Sequence, residues 1–234
     1  MAKTHYPVDA AHVMRELSRV DRHLAKVIRR VGTFPTKRQK PQPPFASLLQ
    51  AIVYQQLAGK AAATIFGRVK ALSASGFPTP EEILLLDETK LRGAGLSRQK
   101  IAAVKDLAAK TLDGTVPPLG KLRCMGEEEI LERLTQVRGI GEWSVQMFLI
   151  FRLGRPDVLP IHDLGIRKGF QRVYGHKDVP KPQFILEHGE RWRPYRSIAS
   201  WYLWRAVDDK PAKAENRTLA KTPRKMKGTK ISAR

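Results

Sequence analysis

The octapeptide VRGIGEWS, Val137 to Ser144, places two glycines one residue apart between stretches with a helical apolar period, and Glu142 and Trp143 follow at once. Gly139 and Gly141 tolerate positive φ, so the backbone can turn tightly and bring the amides at the next helix start close to an anion. A phosphate suits such a turn, and Arg138 stands beside it. The face of an indole at Trp143 suits a flat cationic group. Asp163 lies 22 residues beyond Gly141 in RPDVLPIHDLGIRKGF, at the head of another helical run. As an N-cap its carboxylate would be held by amide hydrogen bonds and the helix dipole. At the rim of a cleft that carboxylate could face a developing positive charge. Taken singly, each feature has a structural alternative: a glycine pair makes helical corners, an aspartate caps, and a tryptophan fills cores. His162 is assigned no role.

Composition indicates what such residues would act on. The 234 residues carry 43 Lys and Arg against 22 Asp and Glu, a formal charge of +21. A polyanion is the natural partner for that balance. Nine of the basic residues lie in the last 25 positions, KPAKAENRTLAKTPRKMKGTKISAR, opposed by Glu215 alone, so residues 210–234 are expected to be a basic disordered tail. Removing the tail's net +8 still leaves +13 on residues 1–209, so the folded part is basic in its own right. No apolar run approaches the ~18 residues of a spanning helix, and the N-terminal stretch lacks a signal-peptide core. A soluble intracellular protein is expected, cytoplasmic and nucleoid-associated in a bacterium or nuclear in a eukaryote, with no membrane partner. Cys124 is the single cysteine, which excludes a disulfide framework, a cysteine zinc site and a four-cysteine iron–sulfur cluster.

The elements that must position these residues are helical. Apolar residues recur at a period of ~3.6, and no run of alternating strands is evident. PVDAAHVMRELSRVDRHLAKVIRRVG predicts one helix with Pro7 near its start and Gly32 as its stop. FASLLQAIVYQQLAGKAAATIFGRVKAL predicts two helices broken near Gly59, and Thr79 and Pro80 open a short third. Ser97 and Gly114 bracket another helix, and the hairpin motif is placed at about residues 127–153. Three more helices follow the motif, so residues 1–209 read as an all-α domain.

The stretch LTQVRGIGEWSVQMFLIFRLGRPDVLPIHDLGIRKGF resembles the helix-hairpin-helix and aspartate loop of the helix-hairpin-helix DNA glycosylases, in their 3-methyladenine DNA glycosylase II branch. LLQAIVYQQLAGKAAATIFGRV, LRGAGLSRQKIAAVKDLA and RWRPYRSIASWYLWRA agree in order, so the resemblance covers about Phe45 to Val207. It implies two helical subdomains with a cleft between them, in a short form without the N-terminal α/β domain of longer members. It also implies a monomeric, monofunctional glycosylase that needs no cofactor and takes alkylated purines, chiefly 3-methyladenine, from double-stranded DNA in base excision repair. Such an enzyme must extrude the target base and fill the gap. Leu57, with Gln56 beside it, matches the family's intercalating wedge. Trp143 and Trp204 match the aromatics of the base pocket, with Met147 at a third pocket position. Met147 and Leu164 stand where relatives can be aromatic. Asp163 matches the catalytic carboxylate, and Arg138, Gly139 and Gly141 the DNA-binding hairpin. Backbone carbonyls near Thr135, Val137 and Ile140 match a monovalent cation site, and no metal is required for bond cleavage. Two alternatives stay open: a glycosylase for another damaged base, with or without lyase activity, and a helix-hairpin-helix protein that only binds DNA.

Overall fold

The computed structural model describes residues 8–35 and 42–208, so Pro7 and the basic tail expected at 210–234 lie outside the described residues. Among the described residues every regular element is helical, as expected. The opening helix, however, is two. Helix α1 spans Ala10–Val20 and α2 spans Arg22–Val31, and Asp21 lies between them in an extended conformation, φ −145°. Its Oδ1 accepts the His23 and Leu24 amides at 3.0 Å, so it starts α2 as it ends α1. Oδ2 takes hydrogen bonds from Tyr174 Oη, His188 Nε2 and Trp192 Nε1. The apolar period runs unbroken through the corner, which is why periodicity alone joins the two helices.

A middle group follows: α3 (Pro44–Tyr54), α4 (Gly59–Lys70), α5 (Pro80–Leu85), α6 (Glu88–Gly93), α7 (Arg98–Leu112), α8 (Leu119–Cys124), α9 (Glu127–Leu134) and α10 (Glu142–Phe148). The break between α3 and α4 falls where expected. Thr79 and Glu82 close a reciprocal capping box on α5, and Ser97 accepts the Lys100 amide to open α7. Helices α6 and α8, six residues each, escaped the periodicity because one or two turns give it too few repeats. Helix α10 runs on into a π-helical turn, Leu149–Leu153, before Gly154 ends it at φ +69°.

The chain then returns to its beginning. Helices α11 (Leu164–Tyr174) and α13 (Arg196–Asp208) pack with α2, α12 (Pro182–Gly189) packs with α11, and the turn Glu190–Trp192 touches α1, whereas α7 sits against α3 and α5. Helices α11 and α13 are in close contact because Gly169 has no side chain: a Cβ there would lie 2.3 Å from the Leu203 carbonyl oxygen. One apolar core joins the two groups, with Leu49, Ile52, Val104, Ile130 and Val145 on one side and Val13, Leu24, Phe170 and Tyr202 on the other.

Candidate active site

Asp163 is the N-cap of α11, as the sequence indicates, and the loop that delivers it is fixed at both ends to α13. At the near end, Arg196 donates to Asp157 Oδ1 at 2.8 Å, while the Ser197 hydroxyl accepts the Val158 amide at 2.8 Å and donates to its carbonyl. At the far end, Asp163 itself is held by three N–H groups. Oδ1 accepts from the Ile166 amide at 2.8 Å and from Trp204 Nε1 at 2.9 Å, and Oδ2 accepts from Trp143 Nε1 at 2.7 Å. The structure therefore brings Trp143 and Trp204 to one carboxylate from either side, although 20 and 41 residues separate them from it in sequence. Their indole edges bind the acid, a use the resemblance did not suggest. Trp143 is 50% exposed, whereas Trp204 is half-buried and stacked on Phe151 with centroids 5.6 Å apart. Gly165 makes this arrangement possible: a Cβ there would lie 2.8 Å from Trp204 Cδ1 and 2.9 Å from Asp163 Oδ1.

The hairpin between α9 and α10 is built differently from the expectation at one glycine. Gly139 has φ +78°, but Gly141, the N-cap of α10, has φ −97° and ψ 174°, which any residue adopts. A Cβ on Gly141 would meet nothing within 4 Å, so neither backbone strain nor packing inside the protein requires glycine there. What glycine does leave is bare backbone facing outward. Among the described residues the exposed amides of Gly139 and Gly141 meet no acceptor. The Arg138 amide, in contrast, is taken by Asp106 Oδ2 at 2.7 Å, so at Arg138 only the exposed side chain is left to reach an anion. Burial would push the Asp106 carboxyl up, but the Arg138 amide and the Lys110 ammonium outweigh it and hold it below its ordinary range. In the same turn the Val137 carbonyl accepts the Ile140 amide at 3.0 Å, and those of Thr135 and Ile140 take no backbone amide among the described residues.

The segment from Gln55 to Ala58 joins α3 to α4. Gln56 has φ +57°, the single non-glycine positive φ among the described residues, a conformation that costs about 1–2 kcal/mol and must be imposed by its surroundings. Leu57 next to it is exposed. The surroundings that impose this conformation were not legible in the sequence. Lys100 Nζ, from α7, donates to the Val53 carbonyl at 2.6 Å and the Gln55 carbonyl at 2.8 Å, and the Gln55 amide side chain donates to the Gly139 carbonyl at 2.9 Å.

Between α3 and α10 lies a cavity of about 230 Å³ lined by Tyr54, Met147, Phe151 and Arg152 among others. Met147 borders this cavity, and Phe151 connects it to Trp204 and through it to Asp163. Arg152 donates to Gln50 Oε1 at 2.9 Å, and burial lowers its guanidinium below the ordinary value. Gly165, Gln55, Lys100, Asp106 and Phe151 are site residues that the sequence reading missed. A glycine directly after an N-cap was the visible hint for Gly165; the others carry no local signal.

Comparison with known proteins identifies the family and the fold. Residues 49–194 match the model of the HhH-GPD superfamily base excision DNA repair proteins. The chain is 40% identical over 191 residues to DNA-3-methyladenine glycosylase 1 of Schizosaccharomyces pombe, covering 81% of this chain and 84% of that protein. A solved structure of an S. pombe 3-methyladenine DNA glycosylase in complex with abasic DNA superimposes with a TM-score of 0.74 at 39% identity, over 83% of this chain and 95% of the other. A DNA-3-methyladenine glycosidase from Bacillus halodurans gives 0.75 at 33% identity, over 83% and 88%.

Proposed function

The chain belongs to the HhH-GPD superfamily of base excision DNA repair proteins, and we propose that it removes alkylated purines, chiefly 3-methyladenine, from duplex DNA by hydrolysing the N-glycosidic bond. The observation that carries this reading is Asp163: a carboxylate at a helix N-terminus with three N–H donors, flanked by two indoles and adjoined through Phe151 to a cavity.

The residues divide the work. The outward amides of Gly139 and Gly141, with the Arg138 guanidinium, dock on a DNA phosphate, giving position rather than sequence readout. Carbonyls of Thr135, Val137 and Ile140 in the same turn fit a monovalent cation, which would supply positive charge beside that phosphate. Leu57, exposed on its strained loop beside Gln56, fills the gap left by the extruded nucleotide. The alkylated purine is received among Trp143, Trp204 and Met147, where ring faces favour its positive charge. Cleavage of the bond sends its electron pair to the base, which leaves neutral, and leaves an oxocarbenium-like sugar. The Asp163 carboxylate stabilises that cation and takes a proton from the water that adds to the sugar carbon. The Trp204 indole N–H and the Ile166 amide hold the carboxylate in place during this step, and Trp143, being exposed, is the indole free to turn aside for the sugar.

The position two residues after Gly141, where lyase-competent relatives carry the lysine that attacks the sugar, is held by Trp143. Hydrolysis without strand cleavage, by a monomer, completes the proposal. Incubating the protein with randomly methylated duplex DNA and identifying the free bases tests it. Release of 3-methyladenine above all others is expected, and release of an oxidised base or of none refutes it.

A further inference from the structure

Two devices are assigned to DNA, the wedge at Leu57 and the hairpin at Gly139, and they lie 82 residues apart in sequence. Both are tied to α7, which touches no part of the chemistry. Lys100, Ala103 and Asp106 follow one another at three-residue intervals on one ridge of that helix, spanning about 9 Å along its axis. Lys100 Nζ grips the carbonyls of Val53 and Gln55, at the root of the wedge. A Cβ on Gly139 would lie 3.4 Å from the methyl of Ala103, so the hairpin rests on the middle of the ridge. Asp106 takes the Arg138 amide at the far end and is itself steadied by Lys110 at 2.7 Å. Gln55 closes the loop by donating directly from the wedge to the Gly139 carbonyl at 2.9 Å.

We propose that α7 is the spacer that sets the wedge at a fixed offset from the phosphate-docking hairpin, with Lys100, Asp106 and Gln55 as positioning residues, so that docking on a phosphate places Leu57 at the base stack. This rests on the assignment of Leu57 and the hairpin above. It explains why a lysine in a strongly basic protein spends its ammonium on two carbonyls of its own chain, and why a carboxylate sits against a hairpin meant for an anion. Desolvation lowers the Lys100 ammonium below its usual range, in keeping with a group turned inward from solvent.

The test is equilibrium binding of the full chain to two duplexes that differ only in one stable abasic analogue, at several salt concentrations, with a thermal melt for each variant. Leu57→Ala serves as the reference for a lost wedge. Lys100→Met, and independently Gln55→Ala, are expected to reduce the preference for the abasic duplex at least fivefold, towards the Leu57→Ala level. The slope of log affinity against log salt on intact duplex should not change. Asp106→Ala should weaken binding to both duplexes, and Asp106→Asn, which keeps an acceptor for the Arg138 amide, should restore it. Gln55→Ala removes only the contacts of Gln55 Nε2 with the Gly139 carbonyl and, at 3.5 Å, the Ser144 hydroxyl, and decides the matter should Lys100→Met fail to fold. The inference is overturned if Lys100→Met and Gln55→Ala keep the abasic preference within twofold while Leu57→Ala loses it, an outcome that leaves the wedge intact. It is also overturned if Lys100→Met lowers the salt slope by about 0.9, because Lys100 would then be a phosphate contact. If Leu57→Ala keeps the preference, the wedge assignment itself fails, and the spacer with it.

Discussion

Asp163→Asn separates the carboxylate's charge from its structural duties. Asparagine caps a helix about as well as aspartate, so with its oxygen at the Oδ1 position it still accepts from the Ile166 amide and Trp204 Nε1. Its NH2 group then falls at the Oδ2 position, donor against donor with Trp143 Nε1, which is now 2.7 Å from an acceptor. Trp143, half-exposed, swings out at the loss of one hydrogen bond, about 1 kcal/mol. Fold and DNA affinity should therefore change little. The reaction should change greatly. A full charge about 4 Å from the oxocarbenium centre, at an effective dielectric of ~20 for a half-buried group, is worth about 4 kcal/mol, or roughly a thousandfold in rate. Single-turnover release of base from an oligonucleotide with one alkylated purine, beside a urea melt and abasic-DNA binding, measures all three quantities. A mutant within tenfold of the wild-type rate would refute the electrostatic role. A mutant as slow as expected but unfolded would leave the charge argument unsupported.

Gly165→Ala should slow base release at least tenfold with little loss of helix, because its methyl would push Trp204 and the Asp163 carboxylate apart by several tenths of an ångström; a wild-type rate in that variant contradicts the packing argument. Borohydride should trap no covalent protein–DNA adduct during turnover, and strand breaks should appear only after alkali, since an indole at Trp143 cannot form an imine; efficient trapping would refute the monofunctional mechanism. Asp21 supplies a pH dependence: burial pushes its carboxyl up, but hydrogen bonds from His188, the Leu24 amide, Tyr174 and Trp192 outweigh burial and hold it well below the ordinary 3.8. A carboxyl lowered in the fold stabilises it above its unfolded value and ceases to do so as pH falls through the folded one. Asp21→Asn should therefore cost about 3 kcal/mol at pH 7, and the gap from wild type should narrow below about pH 4; a gap constant from pH 7 to pH 2 would show that the network's charge is immaterial.

Much of this protein was legible locally. Helix starts at Thr79, Ser97 and Asp163 follow from side chains that reach a backbone amide two or three residues away, which is a property of the sequence alone. The turn at Gly139 likewise follows from the residue that tolerates it. Asp163 and Gly139 were visible because each is a residue type at a conformationally special position, whereas Leu57 was singled out only by the family resemblance. Their relation to one another was not visible. Trp204 meets Asp163 across 41 residues, Gln55 meets Gly139 across 84, and Lys100 meets Val53 across 47. No helical period encodes such meetings. They depend on where rigid helices come to rest once their apolar faces are buried, and on positions such as Gly165 and Gly169 where a missing side chain sets how closely two helices approach. The same reason explains the split at Asp21, where the apolar period continues and only the donors arriving from α11, α12 and the turn after it make a buried carboxylate tolerable. Sequence determined which groups could act; tertiary packing decided which atoms of those groups face each other, turning two indoles expected to offer their faces to a base into donors that also hold the acid.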